Sequence, residues 1–281
     1  MKKYDVAILG GGPGGYVAAI RAAQLGKSAA IIDKDKLGGI CLNWGCIPTK
    51  ALLKNAEVLN YIKNSKEFGI TISSFNVNFN ETIKRSREIS KRLSKGIEFL
   101  MNKNQIDHIK GTGVFKSDKD IEVINGKNKQ LVKADKIIIA TGARSQVLAG
   151  MEPDGKRIIT SKEAMNLKEI PKRMLVIGAG AIGVEFAYFY NQYGSEINLI
   201  EMMDNILPIE DIDISKEVEK SFIKSGIKIH KKTRVTQIKK LKTKLKVHLE
   251  ASGKESIVET DIVLSAVGVI GNIEKIGLEN I

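Results

Sequence analysis

Apolar positions along this chain fall into short runs whose order repeats. Tyr4-Asp5-Val6-Ala7-Ile8-Leu9 reads as a strand that leads straight into Gly10-x-Gly12-x-x-Gly15. A helix of small residues, Tyr16 to Leu25, follows. After Gly26 a second strand, residues 28–32, ends on Asp33. The second half of the chain has the same order. Met174 to Ile177 predicts a strand, Gly178-x-Gly180-x-x-Gly183 comes next, and a helix runs from Val184 to about Tyr193. Past Gly194, a strand from Glu196 to Ile200 ends on Glu201. In each copy the acid stands 23 positions after the first glycine.

A single glycine pattern of this kind is weak evidence. Here each follows a strand, opens a helix and is answered by an acid at the end of the next strand. The first glycine allows a tight turn, the second lets the backbone approach a pyrophosphate, and the third packs helix on strand. The helix N-terminus offers unpaired N–H groups to phosphate, and the acid accepts hydrogen bonds from a ribose. A further echo closes each unit: the buried-strand run Asp135 to Ile139 before Ala140-Thr141-Gly142 parallels the buried-strand run Asp261 to Ser265 before Ala266-Val267-Gly268. The chain therefore predicts an α/β fold made of two Rossmann-like dinucleotide-binding units with parallel sheets and a small antiparallel β crossover. One spans residues 1–149, the other 150–281. At the second site Glu201 would repel a 2′-phosphate, and Met202 and Met203 stand where an NADP site would want arginines, so NAD is favoured.

Other segments bear on partners. Lys84, Arg85, Arg87, Lys91, Arg92 and Lys95 crowd one predicted helix that also carries Ile83, Ile89, Leu93, Ile97 and Leu100 near helical spacing. Its lysines read as a solvated face and those apolar residues as its buried stripe. Residues 244–249 alternate with period two, a half-exposed strand. The net charge of +13 suggests nucleic acid, but aromatics are only 5% and do not interleave with the basic residues, which argues against it. No run of 18 apolar residues occurs and no signal peptide opens the chain, so neither a membrane span nor secretion is expected. A cytoplasmic location fits, with its reducing conditions.

Composition matters most at cysteine, of which there are two, Cys41 and Cys46. In a reducing compartment such a pair suggests a redox couple, the alternative being two unrelated buried thiols. Residues five apart in a regular helix lie about 8.6 Å apart at Cα. A disulfide wants roughly 4.4–6.8 Å. Closing Cys41 onto Cys46 thus needs a distorted backbone, which Gly45 permits and Pro48 helps define. No His/Cys/Asp/Glu pattern with metal-ligand spacing is expected to hold a metal.

With these residues in hand, the chain resembles the class I pyridine nucleotide-disulfide oxidoreductases, and among them the dihydrolipoyl dehydrogenases. The match rests on the first fingerprint, residues 38–50 around the cysteines, Ala140-Thr141-Gly142-Ala143, the second fingerprint with Glu185, and Leu207-Pro208-Ile209-Glu210-Asp211. That resemblance implies FAD in the first unit, at Gly10, Gly12, Gly15, Asp33, Lys50, Gly113, Thr141, Gly142 and Ala143. It implies NAD in the second, at Gly178, Gly180, Gly183, Glu185, Glu201, Val235 and Gly268. Four catalytic residues follow from it: Cys46 faces the flavin, Cys41 exchanges with substrate, Lys50 places positive charge near the flavin, and Glu185 pairs with Lys50. The implied reaction is oxidation of dihydrolipoyl groups to lipoyl, with electrons passing through a Cys41–Cys46 disulfide and FAD to NAD.

Implied partners are lipoyl domains of a 2-oxo acid dehydrogenase complex and a second copy of the chain. The runner-up readings are a related FAD disulfide reductase of glutathione or mercuric reductase type, and a non-catalytic dinucleotide-binding module. Relatives of this kind carry further central and interface domains, with a His–Glu pair for proton transfer. The sequence to Ile281 shows only His108, His230 and His248, none in such a motif, so this stretch alone is expected to be inactive in full turnover.

Overall fold

The structure, a computed structural model, describes residues 2–281. It forms β1 (Lys3–Leu9), α1 (Pro13–Gln24) and β2 (Ala29–Asp33), then α2 (Gly39–Trp44), α3 (Cys46–Lys63) and α4 (Phe79–Lys103). The first helix starts three residues before the predicted Tyr16 because Pro13 occupies its first turn, where a missing N–H costs nothing. Four strands follow: β3 (Asp107–Lys110), β4 (Thr112–Phe115), β5 (Asp120–Asn125) and β6 (Asn128–Ile139). Their sheet has the order β3-β2-β1-β6-β5-β4. The first four strands are parallel, and β6-β5-β4 is an antiparallel ribbon. Alternation along the strands sorts the core: Ile8 and Ile31 face Ala19, Ile97 and Met101 of the helices, while Leu9 and Ile32 face Phe115, Ile121 and Val123 of the ribbon.

The second half gives β7 (Ala143–Ser145), β8 (Ile158–Ile159), α5 (Ser161–Ala164), β9 (Arg173–Ile177), α6 (Ala181–Gln192), β10 (Glu196–Ile200), α7 (Ile212–Lys224) and β11 (Lys228–His230). After these come β12 (Thr233–Lys240), β13 (Leu245–Ala251), β14 (Lys254–Thr260), β15 (Ile262–Ser265) and β16 (Val269–Gly271). A parallel sheet of order β11-β10-β9-β15-β8 forms the core, and β12-β13-β14 is an antiparallel meander. Strand order reverses at β1 in the first sheet and at β9 in the second. Crevices for ligands open at the carboxyl ends of strands at such switch points.

Two compact units exist, but not with one cut at 149/150. The first takes the chain up to Pro48, Arg87–Arg144 and Ile270–Ile281; the second takes Thr49–Ser86 and Ser145–Val269. The reason lies in packing. Phe79, at the start of α4, packs its ring against those of Phe189, Tyr190 and Tyr193 in tilted and edge-on arrangements, whereas Ile97 and Met101 near its end join the core of the first sheet. At the other end, Phe115 N–H donates to Ile276 O (2.8 Å) and Asn280 Nδ2 donates to Phe115 O (2.8 Å), returning the last residues to the first unit. A fingerprint repeat marks where each unit begins, not which core a long helix serves.

Two further expectations change. The buried face of α4 is Phe79, Thr82, Ser86, Ser90, Ser94, Ile97 and Met101, while Leu93 is exposed. Four small hydroxyl residues at four-residue spacing thus line the buried face: Thr82, Ser90 and Ser94 hydrogen-bond across to Tyr193, Leu42 O and Asn43, while Ser86 Oγ donates back to Ile83 O within the helix. The run into Ala140 is likewise not buried throughout, since Ile138 and Ile139 are exposed, unlike Val263 and Leu264 of the second copy.

Candidate functional site

In the first unit the turn after β1 is built by backbone crowding. A Cβ on Gly10, whose φ is +106°, would lie 2.1 Å from Ala140 O, and one on Gly15 would lie 1.8 Å from Gly10 O. The first and third glycines are therefore required by the fold itself. Asp33, ending β2, accepts from Gly11 N–H (2.5 Å) through Oδ2 and from Asp35 N–H (2.8 Å) through Oδ1.

The second unit repeats these details. A Cβ on Gly178 (φ +94°) would meet Ala266 O at 2.5 Å, and one on Gly183 would meet Gly178 O at 1.8 Å. Glu201 accepts from Ala179 N–H (2.7 Å) and Met203 N–H (2.9 Å), and is 7% exposed. One design thus recurs: an acid, fixed by the amide inside the glycine turn and by the amide two residues beyond itself.

The middle glycines differ. Gly12 and Gly180 have ordinary extended backbones (φ −74° and −73°) that any residue adopts. A Cβ on Gly180 would meet nothing within 4 Å, and one on Gly12 would come no nearer than 3.8 Å to Gly39 Cα. Neither conformation nor packing demands glycine there. Both turns leave open the space in which a dinucleotide pyrophosphate would sit, at the starts of α1 and α6.

Cys41 lies on α2, half-buried, and Cys46 opens α3, exposed. Between them Gly45 ends α2 (φ −146°, ψ −117°), so the helix breaks where the spacing argument requires it. The break is tight: a Cβ on Gly45 would sit 3.1 Å from Ile40 O and 3.4 Å from Cys41 Cα. Tyr16 of α1 has its phenol pushed up, first by burial and then by the charges of Cys41 and Cys46. Lys50, one turn along α3 from Cys46, forms an ion pair with Glu185 of α6; the carboxylate is half-buried and the ammonium exposed.

The remaining predicted residues have varied surroundings. Thr141 and Gly142 are clamped by Asn272, whose Nδ2 donates to Thr141 O (2.9 Å) and whose N–H donates to Gly142 O (2.9 Å). Thr141 Oγ1 donates back to Asn272 O (2.7 Å). Ala143 opens β7. Gly113 is explained by packing alone, since a Cβ there would stand 2.3 Å from Leu9 Cδ2. Val235, on β12, packs on the core of β13 two residues beyond Thr233, whose N–H donates to Glu201 O (3.0 Å). Gly268 takes φ +116°, and its carbonyl accepts from Gln146 N–H (2.9 Å). His108, His230 and His248 lie on β3, β11 and β13. Burial holds the first two below the ordinary imidazole value. Among the described residues, no cluster of three or more His, Cys, Asp or Glu could hold a metal ion, and no helix is long and apolar enough to cross a membrane.

Comparison with known proteins places this geometry. A family model described as pyridine nucleotide-disulphide oxidoreductase matches residues 4–280. The chain belongs to that family. It is 45% identical to a dihydrolipoyl dehydrogenase of Rhizobium etli over 99% of its own length and 61% of the relative's. The figures for dihydrolipoyl dehydrogenases of Chlorobaculum parvum and Acholeplasma laidlawii are 42% and 41% identity, with 60% and 83% of those relatives covered. The chain thus spans about 60% of the length of the first of these relatives. Among solved structures, LpdA from Mycobacterium tuberculosis superposes with a TM-score of 0.91 at 25% identity, covering 100% of this chain and 61% of that one. The flavoprotein disulfide reductase RclA from Escherichia coli gives 0.85 at 28%, with 100% and 60% covered.

Proposed function

We propose that this chain is the dinucleotide-binding and thiol-bearing part of an NAD-linked dihydrolipoyl dehydrogenase. The observation that carries the reading is the doubled acid–amide clamp with an open middle glycine, found once in a unit holding both cysteines and once in a unit without them. Gly10 to Gly15, Asp33 and the turn at Thr141 to Ala143 hold FAD; Gly178 to Gly183, Glu185, Glu201 and Gly268 hold NAD. When bound, FAD accepts an electron pair and NAD accepts it as hydride.

The chain's own residues do the thiol chemistry. A dihydrolipoyl thiolate attacks the Cys41 sulfur of the Cys41–Cys46 disulfide, forming a substrate–Cys41 bond and releasing Cys46 as thiolate. The second substrate thiol attacks the substrate sulfur bound to Cys41 and passes its proton to the departing Cys41 sulfur, leaving the lipoyl ring oxidised, Cys41 as a thiol and Cys46 as a thiolate. Cys46 stands exposed in the first turn of α3, at the positive end of the helix dipole. Lys50 adds a cation, held in place by Glu185. Lipoyl domains of a 2-oxo acid dehydrogenase complex are the proposed source of the substrate, and the cytoplasm the proposed compartment.

The likeness to a flavoprotein disulfide reductase keeps a second reading in view, an FAD disulfide reductase of glutathione or mercuric reductase type, and nucleotide preference separates the two. Glu201, with both oxygens already bound to amides, has no cation to offer a 2′-phosphate. The test is direct. Purified chain reconstituted with FAD should turn yellow and gain a long-wavelength thiolate–flavin band on mild reduction. Cys46→Ser should abolish that band and Cys41→Ser should retain it. A colourless protein that takes up no FAD, or one preferring NADPH to NADH, contradicts the reading.

A further inference from the structure

Three residues of α4 grip the segment between the two cysteines. α2 is only six residues long, so its last carbonyls have no partner within the helix. Ser90 Oγ donates to Leu42 O (2.5 Å), and Arg87 Nη1 donates to Asn43 O (2.8 Å). Ser94 Oγ donates to Asn43 Oδ1 (3.0 Å), while Asn43 Nδ2 donates to Leu37 O (3.1 Å) and Gly39 O (2.9 Å). The Arg87 guanidinium lies 5.5 Å from the centre of the Trp44 ring. Leu42, Asn43 and Trp44, three of the four residues separating the sulfurs, are thus each held from one face of one helix. Asn43, Ser90 and Ser94 are all buried.

We propose that Arg87, Ser90 and Ser94 are positioning residues for the thiol pair: they hold the intervening residues in the bent path that lets the sulfurs meet, and so set how readily the pair oxidises. The inference rests on the redox reading of Cys41 and Cys46 given above. A loop already bent raises the effective concentration of one thiol at the other and favours the disulfide. Loosening it favours the dithiol, giving the sign of the effect.

The test uses glutathione as redox partner. One disulfide and two glutathione thiols give two protein thiols and one glutathione disulfide, so electrons and protons balance. With two cysteines in the whole chain, alkylation and mass measurement count the open thiols without ambiguity. Arg87→Met should lower the equilibrium constant for disulfide formation about tenfold, which is about 30 mV for a two-electron couple. Ser90→Ala and Ser94→Ala should each lower it about threefold to tenfold. Ser86→Ala is the control: Ser86 is as buried on the same face, but its Oγ donates to Ile83 O within α4. It should destabilise the protein without moving the constant. Circular dichroism checks folding, and if Arg87→Met does not fold, the two serine variants decide. Wild-type constants in the variants, a shift of opposite sign, or an equal shift in Ser86→Ala overturns the proposal while leaving the redox pair intact. A wild-type chain that never forms the bridge overturns both.

Discussion

Two glycines three residues apart in the second fingerprint should separate folding from binding. In Gly183→Ala the new Cβ would stand 1.8 Å from Gly178 O, more than an ångström inside any normal contact. Backbone on both sides must move, and overpacking of this kind costs about 1–3 kcal/mol, with more expected where no flexible side chain can yield. In Gly180→Ala the Cβ meets nothing within 4 Å, and φ −73°, ψ −174° suits alanine. Fewer unfolded conformations favour the variant by about 0.4–1 kcal/mol. Alanine is a poorer N-cap than glycine by several tenths of a kcal/mol, which offsets that gain. The net change in stability should therefore lie within about 1 kcal/mol of zero. Binding should behave in the opposite way, because the methyl fills the space through which a pyrophosphate approaches. Urea unfolding followed by circular dichroism should show a lowered midpoint for Gly183→Ala only. NADH titration by nicotinamide fluorescence should show Kd raised at least tenfold in Gly180→Ala, about 1.4 kcal/mol. A Gly180→Ala protein that binds NADH like wild type, or that loses several kcal/mol of stability, refutes the assignment of an open ligand cradle.

Three other outcomes follow from particular contacts. Glu201→Gln replaces a carboxylate whose two oxygens each accept one amide N–H with a carboxamide whose NH2 cannot accept the second, so stability should fall by about 2 kcal/mol and the preference for NADH over NADPH should narrow; parallel titrations with both nucleotides check it. Asp154 is held well below the usual carboxyl value: burial opposes the charge, but Lys240 and the amides of Lys156, Ile158 and Arg157 outweigh it. Its stabilisation should be complete above the unfolded value near about 3.9 and fade as pH falls toward the depressed folded value. Unfolding midpoints of wild type and Asp154→Asn should thus differ at pH 7 and converge in acid, and a constant gap would count against the contact. Tyr190→Phe removes the fully buried hydroxyl that donates to Ala164 O (2.5 Å) and should cost about 1 kcal/mol in thermal unfolding, with the NADH Kd unchanged.

Much of this protein is local and therefore legible in its sequence. Both strand–turn–helix–strand–acid units were marked by glycine spacing, because Gly15 and Gly183 crowd the carbonyls of Gly10 and Gly178 five residues back, although Gly10 and Gly178 are themselves crowded by the distant Ala140 and Ala266. The break between Cys41 and Cys46 could be anticipated from helix geometry alone. What tertiary structure decided is long-range. Asn272 reaches Thr141 and Gly142 across 131 and 130 positions, and no local pattern singles it out. The serines of α4 stand outside the apolar stripe that periodicity picks out, yet they are buried, because Ser90 donates to Leu42 O, Ser94 to Asn43 Oδ1 and Ser86 to Ile83 O, so that no hydroxyl is left unsatisfied. Nor could periodicity say that α4 begins in one core and ends in another, since 3.6-residue spacing identifies a face and not the partner that covers it. The sequence alone therefore determined the two glycine turns, their acids and the cysteine spacing; only the folded chain determined which residues of α4 bond the segment between the cysteines.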